Sequence, residues 1–475
     1  MSRTAAIIGG GVIGGGWLAR FLLNGWDVKL YDPDPDAARK IAAVLSNARH
    51  ALPMLYESRL PAEGRLDICD TLAEAVAGAD WVQESAPERL DLKHRILSDI
   101  TTHAASGAII GSSTSGFTPS DLQSGVDWPE RIIVAHPFNP VYLLPLVELV
   151  GSKDNAADVI EQASAILVSL GMFPLQVRGE IDAHIADRLL EAVWREALWL
   201  VHDGVATTQE IDDAIRYGFG LRWAQMGLFE TYRIAGGEAG MKHFIEQFGP
   251  ALKWPWTKLT DVPELTDDLV ATIASQSDAQ SGRLTINELE RLRDHNLVAM
   301  MRALKGQDSA AGRILNRHQK QIAAPTAFTP GNPVETVSRV IPIDWTDYNG
   351  HMNESRYGQV FSDAADAVMV MIGADETYVA SGQSFFTVET KTAFLDETIA
   401  GDPIRVETVV MEAAGKKLRL RHRMLDANGG ALASCDQLLI HVSLKTRRSS
   451  PPAPQVEARM RELAAGHADL ARQAE

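Results

Sequence analysis

Three groups of residues in this 475-residue chain have types and spacings suited to chemistry. A glycine-rich turn follows the first apolar run, a histidine precedes a glutamate by twelve residues, and an aspartate, a glycine, a histidine and an asparagine fall within seven residues. The first group suits binding of a phosphate, the second transfer of a proton, and the third attack on a carbonyl group. The third group lies far downstream of the others, so the sequence predicts two active sites.

The glycine-rich turn, IIGGGVIGGGW, contains the spacing GxGxxG as Gly9, Gly11 and Gly14, directly after a β-rich run. Such glycines make a tight turn and let backbone N–H groups approach a pyrophosphate at the start of a helix. The second β-rich run ends in Asp32, whose carboxylate suits the ribose hydroxyls of NAD and repels the extra phosphate of NADP. The sequence therefore predicts NAD as the cofactor, with a purely structural glycine turn as the alternative.

His136 and Glu148 suit the oxidation of a secondary alcohol, which releases a hydride and a proton. An imidazole with a pKa of about 6.5 can accept the proton, and a carboxylate on its second nitrogen fixes the tautomer and stabilises the cation. The alternative for His136 is a structural histidine that closes a strand. Ser115, in the stretch SSTSGF, suits hydrogen bonding to the substrate oxygen, although such a serine also suits a turn or a helix cap.

The segments HPFNPVYLLPLVELV and SSTSGF resemble the signatures of the 3-hydroxyacyl-CoA dehydrogenases, over roughly residues 1–320. The resemblance implies that His136 is the general base, that Glu148 orients it, and that Ser115 donates a hydrogen bond to the substrate oxygen. The segments GGWLARFLLNGWDVKLYDP and SSTSGFTPSDLQ are most similar to the branch of that superfamily that oxidises L-carnitine to 3-dehydrocarnitine. Another 3-hydroxy acid, of the L-gulonate type, or a 3-hydroxyacyl-CoA is the alternative substrate.

One position departs from the family pattern. Asp187 stands in ADRLL where the acyl-CoA enzymes have an asparagine in NRLL, and an ionised carboxylate there favours a positively charged substrate. A surface aspartate paired with Arg188 is the alternative. Aromatic faces also bind quaternary ammonium groups, so Phe117, Tyr142 and Trp223 are candidate substrate contacts, with ordinary core packing as the alternative.

The stretch IDWTDYNGHMNESRYG carries the third group, namely Asp347, Gly350, His351 and Asn353. It resembles the motif of the hot-dog thioesterases of the 4-hydroxybenzoyl-CoA type, over about residues 335–446. The resemblance implies that Asp347 acts as nucleophile or general base while backbone N–H groups near Gly350 and His351 polarise the thioester carbonyl. A turn capped by Asp347 or Asn353 is the alternative.

The nearby Asp344 competes with Asp347 for the role of the reactive carboxylate. Together the two resemblances imply a bifunctional enzyme that also hydrolyses a CoA thioester, betainyl-CoA, to glycine betaine. A thioesterase of general acyl-CoA range, or a hot-dog module that dimerises without catalysis, is the alternative. The hot-dog family pairs subunits to cover an open sheet edge, so we expect a homodimer.

The elements that position these residues change in character along the chain. Short β-rich runs alternate with helical patterns up to residue 181, which predicts an α/β Rossmann domain with a mostly parallel, doubly wound sheet. The predicted strands are residues 5–10, 27–32, 80–86, 108–113, 131–136 and 173–178. Residues 182–322 read as an all-α substrate or dimerisation domain, and 323–334 as a proline-rich linker. Residues 335–446 predict an α+β hot-dog domain in which an antiparallel sheet wraps one helix, and 447–475 form a charged, weakly helical tail.

Composition excludes several classes of protein. A formal net charge of −17 argues against nucleic acid as the main partner and tolerates a cationic small molecule. Neither a signal peptide nor a run of about 18 apolar residues is recognised, so we expect a cytoplasmic protein without a membrane partner. The two cysteines, Cys69 and Cys435, have no paired spacing, so neither a disulfide framework nor a metal site is expected.

Overall fold

The computed structural model describes residues 3–235, 241, 244–246, 257–258, 263–323 and 326–474. The chain forms two compact units, one of Met1–Arg49 with Pro61–His318, and one of His50–Leu60 with Gln319–Glu475. Part of the predicted helical domain, and Ala324 and Pro325 of the predicted linker, lie outside the described residues. None of the described helices has the length and apolar character that crossing a bilayer requires.

The first unit is built around a sheet of short, buried strands. Its elements up to residue 177 are β1 (Thr4–Ile8), α1 (Val12–Leu22), β2 (Asp27–Tyr31), α2 (Ala37–Ala51), β3 (Leu66–Ile68), α3 (Leu72–Val76), β4 (Trp81–Glu84), α4 (Leu90–His103), β5 (Ile109–Ser112), α5 (Pro119–Gln123), β6 (Ile132–Pro137), β7 (Leu146–Val150), α6 (Val159–Ser169) and β8 (Phe173–Val177). Among the described residues the sheet has eight strands in the order β3-β2-β1-β4-β5-β6-β7-β8. Only β6 and β7 pair antiparallel, so the predicted Rossmann fold with a mostly parallel sheet is confirmed.

Two strands of this sheet have no counterpart in the sequence prediction. β3 has only three residues, too few for a periodic pattern. β7 pairs antiparallel with β6 after a connection without a helix, so it falls outside the βαβ alternation that guided the prediction. This second omission concerns the strand that carries Glu148.

Helices follow β8, as the sequence predicts. Among the described residues they include α7 (Ala186–His202), α8 (Thr208–Ala214), α9 (Gly220–Ala235), α10 (Asp267–Ser281), α11 (Ile286–Gly306) and α12 (Ala311–Ile322). The start of α8 is fixed by a capping box, in which the Thr207 side chain accepts from the N–H of Glu210 and the Glu210 carboxylate accepts from the N–H of Thr207. The most important of these helices for the site is α7, because its first turn lies beside His136 and Glu148.

The second unit is an antiparallel sheet around one long helix. Its elements are β9 (Val334–Val340), α13 (Glu354–Met371), α14 (Glu376–Ala380), β10 (Gln383–Phe394), β11 (Pro403–Ala414), β12 (Lys417–Leu425), β13 (Ala431–Ser443), β14 (Arg448–Ser449), α15 (Pro454–Gly466) and α16 (Ala468–Ala474). The strand order is β10-β13-β12-β11-β9, with β14 paired to β13. The apolar face of α13, including Val360, Phe361 and Val368, is buried with residues of the sheet, so the predicted hot-dog arrangement is confirmed.

The segment after Ser449, to which the sequence assigned no role, packs into this second unit. Val456, Met460 and Leu463 of α15 belong to the same buried cluster as residues of α13 and the sheet. His467 is fully buried, and its Nδ1 accepts a hydrogen bond from the N–H of Val410 at 3.0 Å. The C-terminal helices are therefore part of the folded unit.

Buried neutral histidines make the stability of both units sensitive to acid. His422, on β12, lies between the hydroxyl of Thr408 at 2.8 Å and the amide oxygen of Gln437 at 3.3 Å, and burial lowers its pKa to about 4. In the first unit, burial and then the charge of Arg20 lower the pKa of His318 to about 4. Their unfolded values are near 6.5, so the folded state disfavours the charged forms.

We therefore expect the free energy of unfolding to be highest above pH 6.5 and to fall as the pH drops from 6.5 towards 4. Each histidine contributes roughly 3 kcal/mol over that interval, since one pKa unit corresponds to about 1.4 kcal/mol. Urea unfolding between pH 7.5 and pH 4.5 measures the effect. The variant H422Q, which cannot titrate, should flatten the dependence, and an unchanged slope would contradict the assignment.

Candidate active sites

The glycine turn between β1 and α1 has no room for a larger residue at two of its positions, Gly9 and Gly14. Gly9 has φ +102°, and a Cβ there would lie 2.7 Å from the carbonyl oxygen of Ser85. A Cβ on Gly14 would lie 1.8 Å from the carbonyl oxygen of Gly9, so this glycine lets α1 pack against the turn. Gly11 is the N-cap of α1, which directs the positive end of the helix dipole to the turn.

The carboxylate of Asp32 lies beside this turn, at the end of β2. Its Oδ2 accepts from the N–H of Gly10 at 2.5 Å and its Oδ1 from the N–H of Asp34 at 2.7 Å. A cavity of about 640 Å³ adjoins the turn and is lined by Gly9, Gly11, Asp32 and Pro87, among others. The turn and the carboxylate together fit the pyrophosphate and the ribose of NAD.

His136 and Glu148 face each other across the antiparallel pair β6 and β7. The Nδ1 atom of His136 lies 3.1 Å from Oε2 of Glu148, and both side chains are buried. The second carboxylate oxygen, Oε1, accepts from the backbone N–H groups of Ile185 and Ala186 at 3.0 and 2.9 Å. Burial alone would raise the pKa of Glu148, but the hydrogen bonds from His136, Ala186 and Ile185 outweigh burial and hold this pKa below its usual value.

The second nitrogen of His136, Nε2, faces two oxygen atoms. Ser115 Oγ lies at 3.2 Å and Asp187 Oδ2 at 3.6 Å. Because Glu148 engages Nδ1, Nε2 is the nitrogen that can exchange a proton with a substrate. The structure thus brings four of the predicted site residues, His136, Glu148, Ser115 and Asp187, into one cluster.

The loop that carries Ser115 is held by charged side chains that the sequence analysis did not single out. Glu88 Oε1 accepts from the Thr114 hydroxyl at 2.5 Å and from the N–H of Gly116 at 3.0 Å. Lys93, fully buried on α4, contacts Oε2 of Glu88 at 3.3 Å and Oε1 of Glu84 at 2.9 Å. A lysine buried between two carboxylates fixes the geometry of a loop through charge-assisted hydrogen bonds.

In the second unit, Asp347 closes a tight turn before α13. Its carbonyl oxygen accepts from the N–H of Gly350 at 3.0 Å, its N–H donates to the carbonyl oxygen of His351 at 2.9 Å, and its Oδ1 accepts from the N–H of Asn349 at 2.8 Å. Gly350 has φ +83°, which suits a glycine. These hydrogen bonds fix the backbone of Asp347, whose carboxylate is half-buried.

The start of α13 lies a few residues beyond this turn. Asn353 is the N-cap, and its side chain accepts from the N–H of Ser355 at 3.0 Å. Gly350 and His351 precede the cap, and the N–H of Gly350 already bonds within the turn. The imidazole of His351 lies 3.5 Å from the carboxylate of Glu397. Asp344 lies in the single turn of 3-10 helix Ile343–Trp345.

Comparisons with known proteins match each of the two units to an enzyme family. The family model "3-hydroxyacyl-CoA dehydrogenase, NAD binding domain" matches residues 4–181, the model for the C-terminal domain of the same family matches 184–267, and the model "Thioesterase-like superfamily" matches 341–460. A protein of Ruegeria pomeroyi named L-carnitine dehydrogenase/betainyl-CoA thioesterase is 60% identical over 98% of this chain and 97% of its own length. The chain belongs to the L-carnitine dehydrogenase/betainyl-CoA thioesterase family.

Shorter relatives match the first unit alone. A Pseudomonas putida protein named L-carnitine dehydrogenase is 52% identical over 65% of this chain and 96% of its own length. Among solved structures, FHMPC 5-dehydrogenase, described as an NAD+ dependent dismutase, superposes with a TM-score of 0.56 at 29% identity, covering 64% of this chain and 99% of that chain. As a member of the L-carnitine dehydrogenase/betainyl-CoA thioesterase family, the chain is an NAD-dependent dehydrogenase joined to a thioesterase.

The three aromatic residues that the sequence offers as substrate contacts pack against other parts of the protein. The hydroxyl of Tyr142 donates to Asp294 on α11 at 2.5 Å, Phe117 packs against the apolar core of the sheet, and the ring of Trp223 contacts Phe219 at 4.5 Å. Burial, together with the hydrogen bond to Asp294, raises the pKa of Tyr142. The side chain of Tyr142 thus joins the sheet to α11.

Two aromatic rings do lie beside His136, and the sequence analysis missed both. Phe138 contacts the imidazole edge to face at 5.0 Å, and the ring of His184 lies 5.5 Å away. Phe138 could have been found, because it stands inside the HPFNP segment that identified His136. His184 had no such signal, since it comes from a turn almost fifty residues further along the chain.

Proposed function

We propose that the chain oxidises L-carnitine to 3-dehydrocarnitine with NAD at the first site, and hydrolyses betainyl-CoA to glycine betaine at the second. The observation that carries the choice of carnitine is the carboxylate of Asp187, 3.6 Å from Nε2 of His136. Carnitine carries a trimethylammonium group two bonds from its hydroxyl carbon. The names of the relatives support the same substrates.

In the proposed oxidation, Nε2 of His136 accepts the proton of the substrate hydroxyl while Ser115 Oγ holds the hydroxyl oxygen. Bound NAD supplies the acceptor for the hydride from the carbon that bears the hydroxyl. Glu148 keeps Nδ1 of His136 protonated and stabilises the positive charge that the ring acquires. The two N–H groups at the start of α7 keep Glu148 ionised for this purpose.

Asp187 gives the first site its proposed preference for a cation. A trimethylammonium group has no hydrogen to donate, so its attraction to Asp187 is Coulombic and depends on the charge of the carboxylate. Asp187 is partly buried, with 17% of its side chain exposed, so water screens the attraction only in part. The same carboxylate also faces Nε2 of His136, the nitrogen that is proposed to take the substrate proton.

In the proposed hydrolysis, the Asp347 carboxylate either attacks the thioester carbonyl or takes a proton from the attacking water. One water is consumed, the bond from carbon to sulfur breaks, and free thiol and carboxylate are released. The start of α13 contributes a positive dipole end to stabilise the developing oxyanion. Neither role of Asp347 needs a metal ion.

The substitution D187N tests the assignment of carnitine. It removes the charge of Asp187 while retaining the size of the side chain, so kcat/KM for L-carnitine should fall about 10- to 100-fold, the range for a partly desolvated charge interaction. The isostere 3-hydroxy-5,5-dimethylhexanoate, in which an uncharged tert-butyl group replaces the trimethylammonium group, should lose nothing. An equal loss for both alcohols would remove the proposed role of Asp187 in cation recognition.

We further propose that the chain acts as a homodimer in the cytoplasm. The edge strand β10 is twelve residues long and exposes Phe386, Val388 and Phe394, which is a surface suited to pairing with a second copy. Helix α7 and the helices after it also expose large apolar side chains, among them Trp194, Tyr217 and Phe229. Both cysteines are free thiols, which agrees with a reducing compartment.

A further inference from the structure

His184 is a buried imidazole beside the proposed base, and the mechanism above gives it no role. It is 0% exposed, and its ring centre is 5.5 Å from that of His136. It immediately precedes the residues whose N–H groups bind Glu148. From this position His184 can affect the placement of both His136 and Glu148.

The hydrogen bonds of His184 define its protonation state. Its Nε2 lies 3.2 Å from the carbonyl oxygen of Thr114, and because a carbonyl only accepts, Nε2 carries the hydrogen. Its Nδ1 is buried and has no hydrogen-bond partner among the residues that the structure describes. A second N–H at Nδ1 would be a buried donor without an acceptor, so the neutral ring with hydrogen on Nε2 is the form that fits.

Charges around the ring lead to the same conclusion. Burial lowers the pKa of His184, as does the charge of His136, while the Thr114 carbonyl and the carboxylates of Glu148 and Asp187 raise it. The net shift is downward. His184 therefore stays neutral while its neighbour gains a proton.

The backbone at His184 is held in an unfavourable conformation. Ala183 and His184 have φ values of 58° and 50°, in the left-handed region that residues with a Cβ rarely adopt. The N–H of Ala183 donates to the carbonyl oxygen of Gly116 at 3.3 Å. The loop that carries Ser115 is thus bonded on both sides of this serine, through Thr114 and Gly116, to the turn before α7.

We propose that His184 is a positioning residue for the dehydrogenase reaction. Its hydrogen bond to Thr114 sets the separation of Ser115, on the loop, from Asp187, on α7, so that both face Nε2 of His136. Because its ring is uncharged, His184 also does not repel the positive charge that His136 acquires during the reaction. This inference rests on the alcohol oxidation proposed above.

Two polar substitutions of similar chemistry separate this role from a structural one. In H184Q the amide N–H reaches the position of Nε2 and can donate to Thr114, whereas in H184N the amide lies near the position of Nδ1 and cannot. We expect H184N to lower kcat for NADH formation from L-carnitine by roughly 10²-fold, the loss that a misplacement of about 1 Å causes. H184Q should stay within about tenfold of the unchanged protein, and the Kd for NAD should not change in either variant.

The matched control is H202N, which makes the same exchange at the other end of α7, where His202 is 44% exposed and contacts Asp203. Equal kcat values for H184N and H184Q would overturn the proposal. If H184N does not bind NAD, that variant has not folded and H184Q becomes the deciding test. A fall in the kcat of H184Q by about 10²-fold would then overturn the proposal.

Failure of the proposed substrate can be recognised separately. If the unchanged protein forms NADH from (S)-3-hydroxybutyryl-CoA and not from L-carnitine, the choice of carnitine is wrong. The same variants are then compared with the acyl-CoA substrate, because the proposed role of His184 rests on its contacts with Thr114 and His136, which serve either alcohol. The difference between H184N and H184Q is expected with either alcohol.

Discussion

Replacing His136 with glutamine is expected to lower kcat for NADH formation by roughly 10²- to 10⁴-fold, the contribution of a general base. Glutamine can retain a hydrogen bond to Ser115 or Glu148 but cannot accept a proton at neutral pH. His136 lies at the centre of the cluster. One ring nitrogen is 3.1 Å from Glu148 and the other is 3.2 Å from Ser115. Initial rates with saturating L-carnitine and NAD measure the loss.

The control for H136Q is H103Q, the same exchange at the exposed end of α4. It should leave kcat unchanged. Hydrolysis of betainyl-CoA by H136Q should also be unaffected, because the thioesterase residues lie in the other unit. A kcat for H136Q within about tenfold of the unchanged protein would contradict the role of His136 as base.

The second large effect is expected at Asp347. The substitution D347N keeps an oxygen that can accept from the N–H of Asn349, so the turn before α13 remains intact. It removes the negative charge that either attack on the carbonyl or activation of water requires. We expect kcat for betainyl-CoA hydrolysis to fall roughly 10²- to 10⁴-fold, measured as release of free thiol, while NADH formation from L-carnitine is retained.

The matched control is D344N, three residues away on the preceding turn of helix. If Asp344 were the reactive carboxylate, D344N would abolish most of the hydrolysis and D347N would leave it unchanged. Unchanged hydrolysis in both variants would favour another reactive carboxylate, whereas no hydrolysis by the unchanged protein would favour a hot-dog domain that serves dimerisation without catalysis. The two variants and the unchanged protein thus separate the interpretations that the sequence leaves open.

Local patterns in the sequence were sufficient for most of the scaffold. Short β-rich runs between helical patterns located β1, β2, β4, β5, β6 and β8. Apolar residues spaced three and four apart located the buried face of α13. The glycine spacing and Asp32 were readable because they follow one strand and end the next. These features depend on neighbours within a few tens of residues.

The site depends on contacts that no local pattern encodes. Glu148 accepts from Ile185 and Ala186, almost forty residues further along, and this bond exists only once α7 packs against β7. His184 acquires its role through the carbonyl oxygen of Thr114, seventy residues earlier. The charged C-terminal segment was assigned no packing, because its apolar residues Val456, Met460 and Leu463 are few and become a core only against α13 and the sheet.

The most direct test of the proposed function is the initial rate of NAD reduction by the full-length chain with L-carnitine and, separately, with (S)-3-hydroxybutyryl-CoA. Asp187, beside the reactive nitrogen of His136, predicts rapid NADH formation with L-carnitine and a kcat/KM at least about tenfold higher than with the acyl-CoA, which has no cation at the corresponding carbon. NADH formation with the acyl-CoA and none with L-carnitine would contradict it.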